Sequence, residues 1–166
     1  MRSPSGYNAP QDDVLKTLGV AMIAGQGVEY LLSNCLTYAL HGEPLQTVEQ
    51  LRILLERHSK ATLGQLLRKL RTRVDLHPTF DDTLDRFLQH RNIIAHRLHD
   101  VPGGFDLHSD EGRERLKAFL VQYMVDGHTV SMVMLGVLRG WASQEGIDIN
   151  SDHHLSQRMQ DHLEAN

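Results

Sequence analysis

The stretch from Asp81 to Leu98 contains neither proline nor glycine, and its apolar side chains recur at three- and four-residue steps. That pattern predicts a helix over 81–98, with Leu84, Phe87, Leu88, Ile94, Ala95 and Leu98 on one face. Arg91 falls near the middle of this face. A guanidinium buried without a partner would cost several kcal/mol, on the order of a whole domain's stability margin. Arg91 must therefore meet an acid or border a polar pocket.

His96 follows Arg91 by five residues, about 140° round an ideal helix, and shares that far side with Asn92 and Ile93. An apolar residue facing away from the core calls for a further helix or a second subunit there. Two such helices packed across a two-fold axis would bring two Arg/Asn/His sets to one groove, with Ile93 in the dimer interface.

The remaining punctuation divides the chain into helices. Residues 1–9 read as a leader, and Asp12 or Asp13 can cap a helix running to about Leu40, stopped by His41-Gly42. Thr47 with Gln50 fits a capping box for a short helix to about Arg57, and Thr62 opens another to about Val74. His77-Pro78 and Val101-Pro102-Gly103-Gly104 bracket the 81–98 helix. Ser109-Asp110 starts a long helix whose apolar side includes Leu116, Phe119, Leu120, Tyr123, Val130, Met134 and Leu138. Gly146 ends it, and Asp152 can cap a short terminal helix. With no internal repeat and no strand alternation, the prediction is an all-α helical bundle over 10–142, followed by an acidic segment over 143–166.

The first helix offers a partner for Arg91. Val14, Leu18, Met22, Gly25, Leu32 and Leu36 line one face, and Glu29 falls within that line. Glu29 is thus a candidate to hold Arg91; the alternative is that it lies at the edge of the stripe and reaches water.

A chain of 166 residues that is 40% hydrophobic can bury one core. The single cysteine, Cys35, excludes an intrachain disulfide and reads as a core filler. The opening MRSPSGYNAP has no apolar run of the kind a signal peptide needs, so a cytoplasmic protein is expected. The two most apolar stretches, 18–40 and 119–141, carry Gln26 and Glu29, and Asp126, His128 and Arg139, and read as core helices rather than membrane spans. His90, His96 and His99 cluster in sequence and His153-His154 lie near the end. No cysteine cluster or HExxH accompanies them, and neither a metal nor a cofactor is expected.

The formal charge of −4 argues against binding duplexes by bulk charge. Between Leu51 and Val74, however, Arg52, Arg57, Lys60, Arg68, Lys69, Arg71 and Arg73 stand against Glu56 alone. That segment reads either as a track for a phosphate backbone, with Arg68, Lys69, Arg71 and Arg73 as candidate RNA contacts, or as a solvated helix face.

The run RNIIAH at 91–96, in a helix that follows a segment such as TLGQLLRKL, resembles the HEPN superfamily of small helical bundles. The signature of that family is an arginine, four to six residues and a histidine, often with a polar residue after the arginine. Arg91, Asn92 and His96 match those positions, and the likeness in helix order extends roughly over 12–141. The resemblance implies a dimeric, metal-independent endoribonuclease of the toxin–antitoxin, phage-defence or RNA-processing kind, although many members have lost catalysis. Toxins of this family paired with a nucleotidyltransferase antitoxin commonly carry a tyrosine two residues after the histidine. Leu98 stands there in this chain, which removes silencing by modification at that position.

If the resemblance holds, His96 is the general acid/base, Arg91 stabilises the phosphate, and Asn92 orients the phosphate or the ring. RNA, a second copy of the chain, and an antitoxin or sensor protein are the expected partners. Three alternatives stand beside this reading. His96 can cap the helix while Arg91 makes a structural salt bridge, the fold can serve as an inactive dimerisation or binding module, or it can be a ligand-binding regulator.

Overall fold

The helix boundaries follow from local capping chemistry. The computed structural model describes residues 7–42 and 47–147, and among these every regular element is helical. Helix α1 spans Ala9–Asn34 and continues as a wider π-helical turn over Cys35–Ala39. Helices α2 (Val48–Ser59), α3 (Leu63–Arg71) and α4 (Pro78–His96) follow, then a 3-10 turn at Leu98–Asp100 and helix α5 (Asp110–Gln144). None of the described helices is long and apolar enough to cross a membrane.

The start of α1 corrects the sequence expectation. Asn8, not Asp12 or Asp13, caps it: Asn8 Oδ1 accepts from the Gln11 backbone N–H at 3.1 Å, and Gln11 Oε1 accepts from the Asn8 N–H at 3.0 Å. The same reciprocal device opens α3 through Thr62 and Gln65, and at the start of α2 the Thr47 side chain accepts from the Gln50 N–H. Pro78 occupies the first turn of α4, where its missing N–H costs nothing. Ser109 Oγ accepts from the Gly112 N–H at the start of α5, and Gly146 takes φ +67° just beyond its end. The terminal helix expected after Asp152 lies outside the described residues.

The described residues divide into two compact units, 7–28 with 77–130, and 29–42 and 47–76 with 131–147. In the first, Val14, Ala21, Gly25 and Val28 are buried from α1, Leu84, Phe87, Ile93 and Ile94 from α4, and Leu116, Phe119, Leu120, Tyr123 and Val130 from α5. Phe87 and Tyr123 stack with ring centroids 4.8 Å apart and planes 4° apart. The Tyr123 hydroxyl lies where a Cβ on residue 25 would stand, so this approach requires Gly25. Met22, expected on the buried line, is exposed instead, and Ala21 and Val28 take that role.

In the second unit the π-helical turn carries Cys35, Leu36, Thr37 and Tyr38 into the core beside Leu51, Leu63, Leu66, Leu67 and Leu70. Tyr38 stacks with Trp141 at 5.9 Å, and Cys35 Sγ donates to the Met134 carbonyl at 3.2 Å. Burial pushes the Cys35 thiol up to about 12, which leaves it protonated and unreactive as the sequence expectation of a core filler requires.

Candidate active site

Helix α4 sets the geometry of the Arg-Asn-x-x-x-His run. Its buried face is rotated from the ideal periodic one: Ile93 and Ile94 are buried while Ala95 is exposed. Ile93, expected on the far side and open to a second subunit, is only 7% exposed. The chain covers this residue by itself, so an unpartnered Ile93 is no longer a reason to place a dimer interface there.

Arg91 and His96 come together although they lie about 140° apart on an ideal helix. The long guanidinium arm reaches round the last turn, and Arg91 Nη1 approaches His96 Nε2 at 3.4 Å. His96 is exposed and is the last helical residue, since Arg97 leaves the helix at φ −146°. Asn92 is partly exposed and lies on the arc between the two, about 100° from Arg91. All three candidate catalytic residues thus share one accessible edge of α4.

A buried acid does meet a cation on this helix, at Arg86, one and a half turns before Arg91. Arg86 Nε and Nη2 donate to the two oxygens of Asp126 at 2.8 and 2.7 Å, and Gln122 Nε2 adds a third bond at 3.0 Å. Asp126 is 2% exposed, and its hydrogen bonds and then its charge hold Arg86 more firmly protonated. The signal was present in the sequence: Asp126 interrupts the apolar side of α5 between Tyr123 and Val130, just as Arg91 interrupts that of α4. Beside this pair, His90 packs its ring 4.5 Å from Phe119, and its Nδ1 is buried without a hydrogen bond among the described residues. Burial lowers the pKa of His90.

Glu29, the candidate partner of Arg91, belongs to the second unit, where it lines a cavity of about 610 Å³ together with Asn34, Leu55, His58 and Leu66. The candidate RNA contacts fall in the same unit. Arg68 is exposed on α3, Lys69 and Arg71 are partly buried, and Arg73 lies two residues beyond the helix.

His58 was not singled out from the sequence, yet it anchors this segment. It follows Leu51 and Leu55 at steps of four and three, a polar residue on an apolar line, and is 3% exposed. Lys69 Nζ donates to His58 Nε2 at 2.7 Å, His58 Nδ1 meets Thr37 Oγ1 at 2.6 Å, and the Thr37 hydroxyl donates to the Ser33 carbonyl at 2.8 Å. With one hydroxyl proton already given to Ser33, Thr37 must accept from Nδ1–H, so the imidazole is neutral and fully satisfied. Burial first, then the charges of Lys69, Arg57 and Arg73, push His58 down to about 4. Among the described residues no three His, Cys, Asp or Glu side chains are grouped to hold a metal, and His153 and His154 lie outside them. Compared with protein-family models, curated proteins and solved structures, the chain matches none.

Proposed function

We propose that this protein is a metal-independent endoribonuclease of the HEPN type, acting in the cytoplasm as the toxin or effector of a toxin–antitoxin or phage-defence system. The observation that supports this reading is the 3.4 Å approach of Arg91 Nη1 to His96 Nε2 at an exposed helix end. A guanidinium only donates, so Nε2 accepts and its lone pair lies beside a permanent cation. That is the arrangement an RNA 2′-hydroxyl and its neighbouring phosphate require. His96 takes the hydroxyl proton, the 2′-oxygen bonds to phosphorus, and Arg91 binds the phosphate oxygens on which charge accumulates. The bond to the 5′-oxygen breaks, giving a 2′,3′-cyclic phosphate and a 5′-hydroxyl. Asn92 supplies an amide donor and acceptor beside the reacting phosphate.

The leaving 5′-oxygen needs a proton while His96 is receiving one. A second histidine satisfies that need, and a second copy of the chain supplies it, so the proposal includes a homodimer with two Arg91/His96 sets facing one groove. An antitoxin or sensor protein would act by covering that groove.

The test is cleavage of RNA by purified protein in EDTA. His96→Ala and Arg91→Ala should each reduce the rate by about 10²–10⁴-fold with the helical content unchanged. Mixing wild type with an excess of His96→Ala should suppress its activity, because each mixed dimer keeps one histidine where the reaction uses two. Equal cleavage by wild type and His96→Ala overturns the proposal.

A further inference from the structure

We propose that Arg57, Lys69 and Arg73 form a phosphate-binding site in the second unit, built on the Thr37–His58 hydrogen-bond chain and occupied by the backbone of a bound RNA strand. The identification of the phosphate as RNA's rests on the endoribonuclease reading; the site itself rests on its own geometry.

Two cations nearby in sequence are matched to acids: Arg52 to Glu49 at 2.8 Å and Lys60 to Glu56 at 2.6 Å. Arg57, Lys69 and Arg73 differ, since none of them pairs with a carboxylate among the described residues. They are also brought together. Arg57 immediately precedes His58, His58 Nε2 accepts a hydrogen bond from Lys69, and Arg73 stands four residues beyond Lys69. Burial first, and then both guanidinium charges, disfavour protonation of Lys69 and His58. Three cations held together without an acid repel one another, and an anion among them relieves that repulsion.

The donors are held rather than loose. Lys69 gives one proton to a histidine that is itself fixed through Thr37 to the Ser33 carbonyl, and its other two protons have no acceptor among the described residues. Arg73 Nη1 donates to the Leu40 carbonyl at 2.8 Å, with its guanidinium lying where a Cβ on Gly42 would stand. Gly42 adopts φ +86°, so glycine there permits both the backbone turn and the arginine. Arg73 is otherwise exposed, so its remaining N–H groups can serve a ligand. Donors of two kinds from α2, α3 and the turn after α3 suit the several oxygens of a tetrahedral phosphate better than a planar carboxylate.

The experiment measures binding of a 5′-labelled 2′-O-methyl oligonucleotide, which cannot be cut through its 2′-oxygen, by fluorescence anisotropy across a salt series. A failure of the cleavage reading therefore leaves this measurement intact. Lys69→Met should weaken binding about 5–10-fold and lower the salt slope by about 0.7, the value for one single-strand phosphate contact. Lys69→Arg should keep most of the affinity. Arg57→Gln, an exposed substitution that leaves the core untouched, should show a similar loss, and Arg139→Gln on exposed α5 should show none. Equal losses for Lys69→Met and Arg139→Gln would mean bulk charge and overturn the site. A parallel titration with inorganic phosphate, followed by the His58 ring nitrogens in NMR, separates the sources. Phosphate binding that the oligonucleotide does not displace overturns the RNA assignment, and no response to either ligand overturns the whole proposal.

Discussion

Arg86 grips the Asp126 carboxylate at both oxygens, at 2.8 and 2.7 Å, with the acid side chain 3% exposed and the arginine 44% exposed. The two partners are therefore not equivalent. An arginine released from this pair can swing into water, whereas the aspartate cannot follow it.

That asymmetry predicts unequal costs of substitution. Arg86→Met strands a buried carboxylate with Gln122 as its remaining donor and should destabilise the fold by about 3–5 kcal/mol. Asp126→Asn keeps the shape and leaves a partly wet cation, and should cost about 1–2 kcal/mol. Urea denaturation of the two variants reads the difference; equal losses would show that Asp126 is not the trapped partner.

His58 predicts a pH dependence of stability. The unfolded chain takes up this proton near 6.5, while the folded protein resists it until about 4. Between those values the unfolded state binds more protons, so the stabilisation is complete above pH 6.5 and is lost as the pH falls toward 4. The slope from this group approaches about 1.4 kcal/mol per pH unit at most. Burial of His90 acts in the same direction. His58→Gln should flatten the curve between pH 4.5 and 6.5, and an unchanged slope would contradict a neutral buried ring.

Gly25 lies in the interior of α1, where alanine would ordinarily gain about 1 kcal/mol in helix propensity. Here its Cβ would overlap the Tyr123 hydroxyl, so Gly25→Ala should destabilise instead, by about 1–3 kcal/mol. Combining it with Tyr123→Phe removes the colliding oxygen, and the double variant should be more stable than the sum of the single effects by about 1 kcal/mol. Strict additivity would show that the two residues do not press on each other.

The helices were legible because their signals are local. Thr62 with Gln65, Pro78, Ser109 and Gly146 act on backbone groups a few residues away, and α3, α4 and α5 begin or end close to them in the structure. Asn8 was passed over at the start of α1 because Asp12 and Asp13 are equally good caps by residue type, and only the bonds formed with Gln11 decide between them. The Arg91, Asn92 and His96 set was visible as spacing on one helix. The approach of its two ends was not, because it depends on how far an arginine side chain bends round the turn.

By itself, the sequence determined that the described chain is helical, where most of its helices begin and end, and which helix carries the Arg91/His96 spacing. These follow from periodicity and capping, which operate within a few residues. Tertiary packing decided that α4 turns so as to bury Ile93, that Arg86 and not Arg91 bonds Asp126, and that His58 joins Thr37 to Lys69. Each of these depends on small helix rotations and on partners 11 to 40 residues away in the chain, where a shift of a few tens of degrees changes which side chain meets which.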